Sequence, residues 1–194
     1  MKTEITHAKN RGAAAKAVSE LKKSNLIVLP TDTVYGIACN AFDKKALKKL
    51  FRAKKRPAGK PIAVLIGNKK DVDKIAKEIP LAARELIKKH WPGALTLVLK
   101  KRKSIPKMLT GNKETVAVRM PANKTALKII RKLGRPLAAS SANPSGKKTA
   151  QNAEHALLYF DKRIPLIING GKSRKGKASK IIDCTQKPFK VLRE

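Results

Sequence analysis

Leu26-Ile27-Val28-Leu29-Pro30-Thr31-Asp32-Thr33-Val34-Tyr35-Gly36 decides the reading of the fold: an apolar run of strand length gives way to hydroxyls, a carboxylate and a glycine. Eighteen residues after Gly36 comes Lys54-Lys55-Arg56-Pro57, and nine Lys/Arg without one acid lie between Lys44 and Lys60. A strand that opens into a polar loop, followed by a cationic segment, is what an anion-handling pocket needs.

The rest of the chain bounds this reading. Its 194 residues, 42% of them apolar, suit one domain spanning 1–194 with a real core. The 46 Lys/Arg against 13 Asp/Glu give a formal charge of +33, whose self-repulsion polyanions would relieve. Two explanations stand side by side, a basic surface scattered over solvated faces and a nucleic-acid or nucleotide partner bound in a salt-dependent way. Cys39 and Cys184 are the only cysteines, too few and too far apart for a disulfide framework or a CxxC site. The first ten residues lack a signal-peptide run and no segment is apolar for long enough to cross a bilayer, so the expectation is a soluble cytoplasmic protein with no membrane partner.

Outward from the opening stretch, Ala13, Ala14, Ala17, Val18 and Leu21 recur at helical spacing. Asp43 is placed to cap a helix with the apolar stripe Ala46, Leu47, Leu50 and Phe51, stopped by Pro57 and Gly59. Ile62–Ile66 reads as a buried strand. Two helical patches follow, one through Val72, Ile75, Ala76 and Ile79, the other through Leu81, Ala82, Leu86 and Ile87, ended by Trp91-Pro92-Gly93. Leu95–Leu99 and Thr115–Arg119 read as strands around a basic loop. Asn123 caps a helix from Lys124 to Leu133, with Gly134 as its stop. Leu137–Ala139 is a short strand, Ala153–Phe160 a helix, and Leu166–Ile168, Ile181–Ile182 and Phe189–Leu192 are strands. Helices interleaved with strands predict an α/β fold with a mixed sheet.

Three polar islands follow apolar strands: Thr31-Asp32-Thr33 with Tyr35 and Gly36; Arg119 before Pro121; and Ser140-Ser141 with Asn143. Each has a structural explanation by itself, as a turn or a strand-end charge, whereas in open α/β folds loops beyond strand ends converge on ligands. Lys54 and Arg56 complement a helix C-terminus, and they equally suit a triphosphate losing pyrophosphate. Neither a Walker A sequence nor a GxGxxG after a strand is present. His7, His90 and His155 form no metal motif, and Ser141 and Ser145 lie outside any GxSxG setting. Positioning and charge neutralisation are left as the mechanism.

Taken together, PTDTVYG, the Lys-x-Arg of KKRP, WPGALTLVL, VAVRMP, PLAASSANPSG, and the terminal Ser179 and Arg193 resemble the YrdC family of threonylcarbamoyl-AMP synthases, in order and over nearly the whole chain. The resemblance implies a twisted mixed β-sheet flanked by helices, with an open concave basic groove. It implies synthesis of threonylcarbamoyl-AMP and pyrophosphate from L-threonine, bicarbonate or CO2, and ATP with Mg2+ carried on the triphosphate. The product would pass to downstream t6A transferase proteins acting on tRNAs that read codons beginning with A. By position in the motifs, Thr31, Arg119 and Ser179 are the threonine-site residues. Lys54, Arg56, Thr115, Ser141, Asn143, Thr149 and Arg193 fall where the family holds ATP, with Lys54 and Arg56 catalytic.

The chain departs from the family pattern at Ala58, where many members carry Ser, and in Ile62–Ile66, which lacks their histidine. The chain ends at Glu194, which points to the short single-domain form. A non-catalytic module binding double-stranded RNA, tRNA or the ribosome is the alternative that the charge supports. Carbamoyl transfer in metalloenzyme maturation ranks below both.

Overall fold

The computed structural model describes residues 2–57, 59–173 and 175–194. It opens with β1 (Glu4–His7) and α1 (Ala13–Lys22), whose small apolar stripe buries Ala17 and Leu21 completely. β2 (Ile27–Leu29) ends at Pro30, and the loop beyond it returns the chain into β3 (Gly36–Asn40), antiparallel to β2. The Asp43 carboxylate accepts from the Ala46 amide and so caps α2 (Lys44–Lys54), while Ala46, Leu47, Leu50 and Phe51 pack inward. That helix stops before Pro57 and Gly59, because Lys55 already adopts a left-handed φ of 49°.

β4 (Ala63–Leu65), a 3-10 turn at Lys69–Asp71 and α3 (Val72–Ile75) lead into α4 (Leu81–His90). β5 (Leu95–Lys100), α5 (Lys107–Thr110) and β6 (Thr115–Arg119) precede α6 (Lys124–Leu133), capped by Asn123 and closed by left-handed Gly134. β7 (Leu137–Ser141), α7 (Ala153–Phe160), β8 (Leu166–Asn169), β9 (Lys180–Asp183) and β10 (Lys190–Arg193) complete the chain.

All ten strands join one mixed sheet in the order β1-β8-β2-β3-β7-β4-β6-β5-β9-β10. β2 and β8, buried on both faces, read as apolar runs. Val28, Ile37, Val64, Ala138 and Ile167 point into the larger core with α2, Trp91 and Phe160. Their neighbours Ile27, Leu29, Ala38, Leu65, Ala139 and Ile168 point the other way, under α1 and α6. Only part of that second face is covered. Leu65 and Ala139 mark where the cover ends, since both belong to the layer beneath α6 and both line an open cavity.

Three elements escape the sequence reading. β1 and β3 carry a charged residue or small side chains instead of an apolar run, and α5 is a single turn. On α4 the buried residues are Ala83 and Ile87, whereas Leu81 stands 83% exposed, so the inward stripe is shifted from the expected one. Leu47→Ala, emptying a fully buried position on α2, should cost about 2–5 kcal/mol in urea unfolding. Leu158→Ala, at a position 83% exposed on α7, should stay within about 0.5 kcal/mol of the parent.

Candidate functional site

The open part of the sheet face forms the floor of a cavity of about 260 Å³. Its floor is small by register. Ala139 pairs with Ala63, while Ala117 lies two positions before Arg119 on the same face of β6, and all three alanines line the cavity. Because Arg119 is level with Leu65 and Leu65 with Leu137, Ser141 lies four residues further along β7. At the rise of a strand, Arg119 and Ser141 therefore mark levels about 13 Å apart, with the alanines midway.

Thr31, Arg56, Arg119, Ser141, Ser179 and Arg193 all line this cavity. Lys54, Thr115, Asn143 and Thr149 do not, and each has a different place. Thr115 opens β6, on the Arg119 side of that strand but beyond Ala117. Thr149 is half-buried in the loop after β7. Lys54 and Asn143 lie behind the wall, packed against each other's segments. Ala58 falls outside the described residues, whereas Ile62, Ala63 and Leu65 supply apolar lining where the family pattern has a histidine.

Arg119 is 6% exposed, and three of its five donors are spent on protein. Nε donates to the Gly93 carbonyl at 2.9 Å, one terminal nitrogen to Thr33 Oγ1 at 2.9 Å and the other to Asp32 Oδ1 at 2.6 Å. Burial holds the guanidinium below the usual arginine pKa, the Asp32 carboxylate opposes that shift, and a cation results. One N–H on each terminal nitrogen has no partner among the described residues. Gly93 has to be glycine, since a Cβ there would lie 2.2 Å from the His90 carbonyl oxygen. The Trp91-Pro92-Gly93 turn thus ends α4 and supplies the acceptor for Arg119.

The hydroxyls beside Arg119 form a directional chain. Thr31 Oγ1 donates to the Val34 carbonyl at 2.6 Å, so the 2.9 Å contact between the two threonine hydroxyls is donated by Thr33. Thr31 Oγ1 also accepts from the Thr33 amide, which saturates it. Thr33 accepts from Arg119 and, among the described residues, keeps one lone pair free. Thr31, singled out from the sequence, therefore shapes the loop, and its neighbour Thr33 holds the spare acceptor.

Lys54 is 1% exposed and donates to the carbonyls of Ser141 at 2.6 Å and Asn143 at 2.7 Å. Burial first, and the Arg56 charge second, push its pKa down to about 8. A neutral amine carries two N–H, as many as these carbonyls require. Arg56 reaches the cavity while donating to the carbonyls of Lys60 and Pro61, and burial lowers its pKa as well. Asn143 Oδ1 is buried with no hydrogen-bond partner among the described residues.

Across the cavity, Ser179 Oγ meets Thr96 Oγ1 at 2.8 Å, and Arg193 donates to both the carbonyl and the hydroxyl of Ser179. The two residues, assigned to different ligands from the sequence, are in direct contact. Thr96 is a further polar group at the site, and its signal is a lone hydroxyl inside the apolar strand Leu95-Thr96-Leu97. The segment before Ser179 is tied over the site by Tyr35, whose hydroxyl donates to Gly171 O and accepts from Gly170 N, and by Gly176 N donating to Thr33 O. A larger cleft of about 640 Å³ near Phe42, Arg131 and Arg135 lies toward the Asn40 end of β3 and the Leu137 end of β7, and no island residue lines it.

No helix among the described residues is long and apolar enough to cross a membrane. Residues 19–194 match the family model for Sua5, YciO and YrdC proteins, described as "Telomere recombination". The threonylcarbamoyl-AMP synthase of Pyrococcus abyssi is 45% identical over 177 residues, 91% of this chain and 52% of that protein. Its Bacillus subtilis counterpart is 40% identical over 171 residues, 88% of this chain and 49% of that protein. The chain thus spans about half the length of these two curated relatives. The crystal structure of P. abyssi Sua5 complexed with L-threonine superposes with a TM-score of 0.94 at 43% identity, covering 98% of this chain and 57% of that one. Escherichia coli YciO gives 0.87 at 27% identity, covering 99% and 95%. On the extent of the family match and these identities, the chain belongs to the Sua5/YciO/YrdC family.

Proposed function

We propose that this protein is a threonylcarbamoyl-AMP synthase, joining L-threonine, bicarbonate or CO2 and ATP. The observation that carries the reading is a single cavity with two unlike ends. At one end Arg119, paired with Asp32, has two donors uncommitted; at the other, Arg56 and Ser141 face the same space with no acid in the lining. The first suits an amino-acid carboxylate and the second a triphosphate. The relatives named for this activity and the Sua5 structure holding L-threonine support it.

In the proposed mechanism Arg119 holds the threonine carboxylate and Thr33 offers its free lone pair nearby. The amino nitrogen, carrying the added carboxylate, extends over the alanine floor. A carboxylate oxygen attacks the α-phosphorus, the bond from that phosphorus to the bridging oxygen breaks, and pyrophosphate leaves. Arg56 balances the charge on the phosphates, while Lys54 holds the Ser141–Asn143 turn in place. Magnesium would come with the triphosphate as part of the substrate and would offset part of its charge. Downstream, the adenylate would supply t6A transfer to tRNA. Binding of double-stranded RNA by the basic surface is the competing reading, and it gives no role to a buried, ion-paired Arg119.

Incubation with ATP, magnesium, threonine and bicarbonate should yield threonylcarbamoyl-AMP by mass spectrometry, and omission of threonine should abolish it. Arg119→Ala should lower kcat/KM by about 100-fold or more. Salt-sensitive RNA binding with no ATP turnover would reverse the ranking of the two readings.

The lowered pKa of Lys54 gives a second test. Because the folded value lies below that of an exposed lysine, folding sheds this proton between about pH 8 and 10.5, and the cost of burying the charge is relieved as pH rises through that window. Bound polyphosphate should raise the value again. Titration calorimetry of MgATP at pH 8, in buffers of different ionisation enthalpy, should therefore register proton uptake that Lys54→Met abolishes.

A further inference from the structure

Of the three arginines lining the cavity, Arg119 alone has a carboxylate partner among the described residues. Arg56 donates to backbone carbonyls, and Arg193 to the backbone and hydroxyl of Ser179. Asp32 itself is 8% exposed and stands behind the lining. Its Oδ1 also accepts from the Ala122 amide at 3.0 Å, which anchors the carboxylate to the turn between β6 and α6. Asp32 thus compensates Arg119, whereas Arg56 and Arg193 have no carboxylate partner among the described residues, and the Arg193 charge is near enough to Arg119 to help hold its pKa down. An uncompensated guanidinium in a buried position would attract phosphate oxygens as strongly as a carboxylate.

We propose that Asp32 is a specificity-determining and positioning residue: it fixes the Arg119 fork and offsets its charge, so that Arg119 takes an amino-acid carboxylate in preference to polyphosphate. The proposal rests on the reading of the Arg119 end as an amino-acid site. Asp32 touches no substrate in it and acts through Arg119.

The test uses direct binding, which does not depend on turnover. L-threonine is titrated calorimetrically into the wild-type chain, Asp32→Asn and Asp32→Glu, each with and without inorganic pyrophosphate. In the wild type, pyrophosphate should leave threonine affinity within about twofold, because the two occupy different ends. Asp32→Asn should bind threonine about 10- to 100-fold more weakly and should make pyrophosphate a competitor of threonine. Asp32→Glu, which keeps the charge, should weaken threonine binding but retain its independence from pyrophosphate.

Unchanged threonine binding in Asp32→Asn, or weakened binding without competition by pyrophosphate, overturns the proposal. Circular dichroism reports whether Asp32→Asn folds. If it does not, Asp32→Glu decides alone, and competition appearing in that variant contradicts charge selection. Failure of the wild type to bind threonine at all instead removes the amino-acid reading of the site.

Discussion

A guanidinium taken out of water must be neutralised and hydrogen-bonded, and at Arg119 this requirement assembles the site. Its partners come from the Trp91-Pro92-Gly93 turn and from the loop after β2, while Asp32 links the same group to the start of α6. Such a pair contributes little net stability, since desolvation offsets attraction, but losing one member costs about 3–5 kcal/mol. Its value lies in geometry. Segments about 90 residues apart in sequence are held within hydrogen-bond distance of one another.

The second constraint is the incomplete cover of the sheet. The larger core, built on α2, Trp91 and Phe160, closes one face, and α1 with α6 close only part of the other. Where the cover ends, alanines keep the floor low, so the space left open is a cavity with polar groups at its rim. Lys54 connects the two faces. It comes from the end of α2, is buried, and holds the carbonyls of the Ser141–Asn143 turn at the rim. Its depressed pKa is the electrostatic mark of that burial.

Much of this was legible in the sequence because the signals are local. Asp43, Asn123 and Gly134 cap the helices as expected, α1 buries its expected apolar stripe, and α6 and α7 keep their expected bounds. The islands at Thr31–Thr33, Arg119 and Ser140-Ser141 could be found because each interrupts an apolar run. What the sequence could not show was direction and depth. Nothing local distinguishes Thr31, whose hydroxyl is saturated within its loop, from Thr33, whose hydroxyl reaches Arg119. Nor does Lys54 differ from its neighbours in a run of cations until the fold buries it. The contact between Ser179 and Arg193 likewise depends on β9 and β10 pairing at the sheet edge, a long-range event.

The most direct test of the two-ended cavity is a crystal structure of this chain with L-threonine and an ATP analogue unable to release pyrophosphate. The threonine carboxylate should lie on the two remaining donors of Arg119, the triphosphate against Arg56 and the Ser141 turn, and the α-phosphorus above Ala63 and Ala117. Threonine bound away from Arg119, or the nucleotide seated in the cleft beside Arg131 and Arg135, would contradict it.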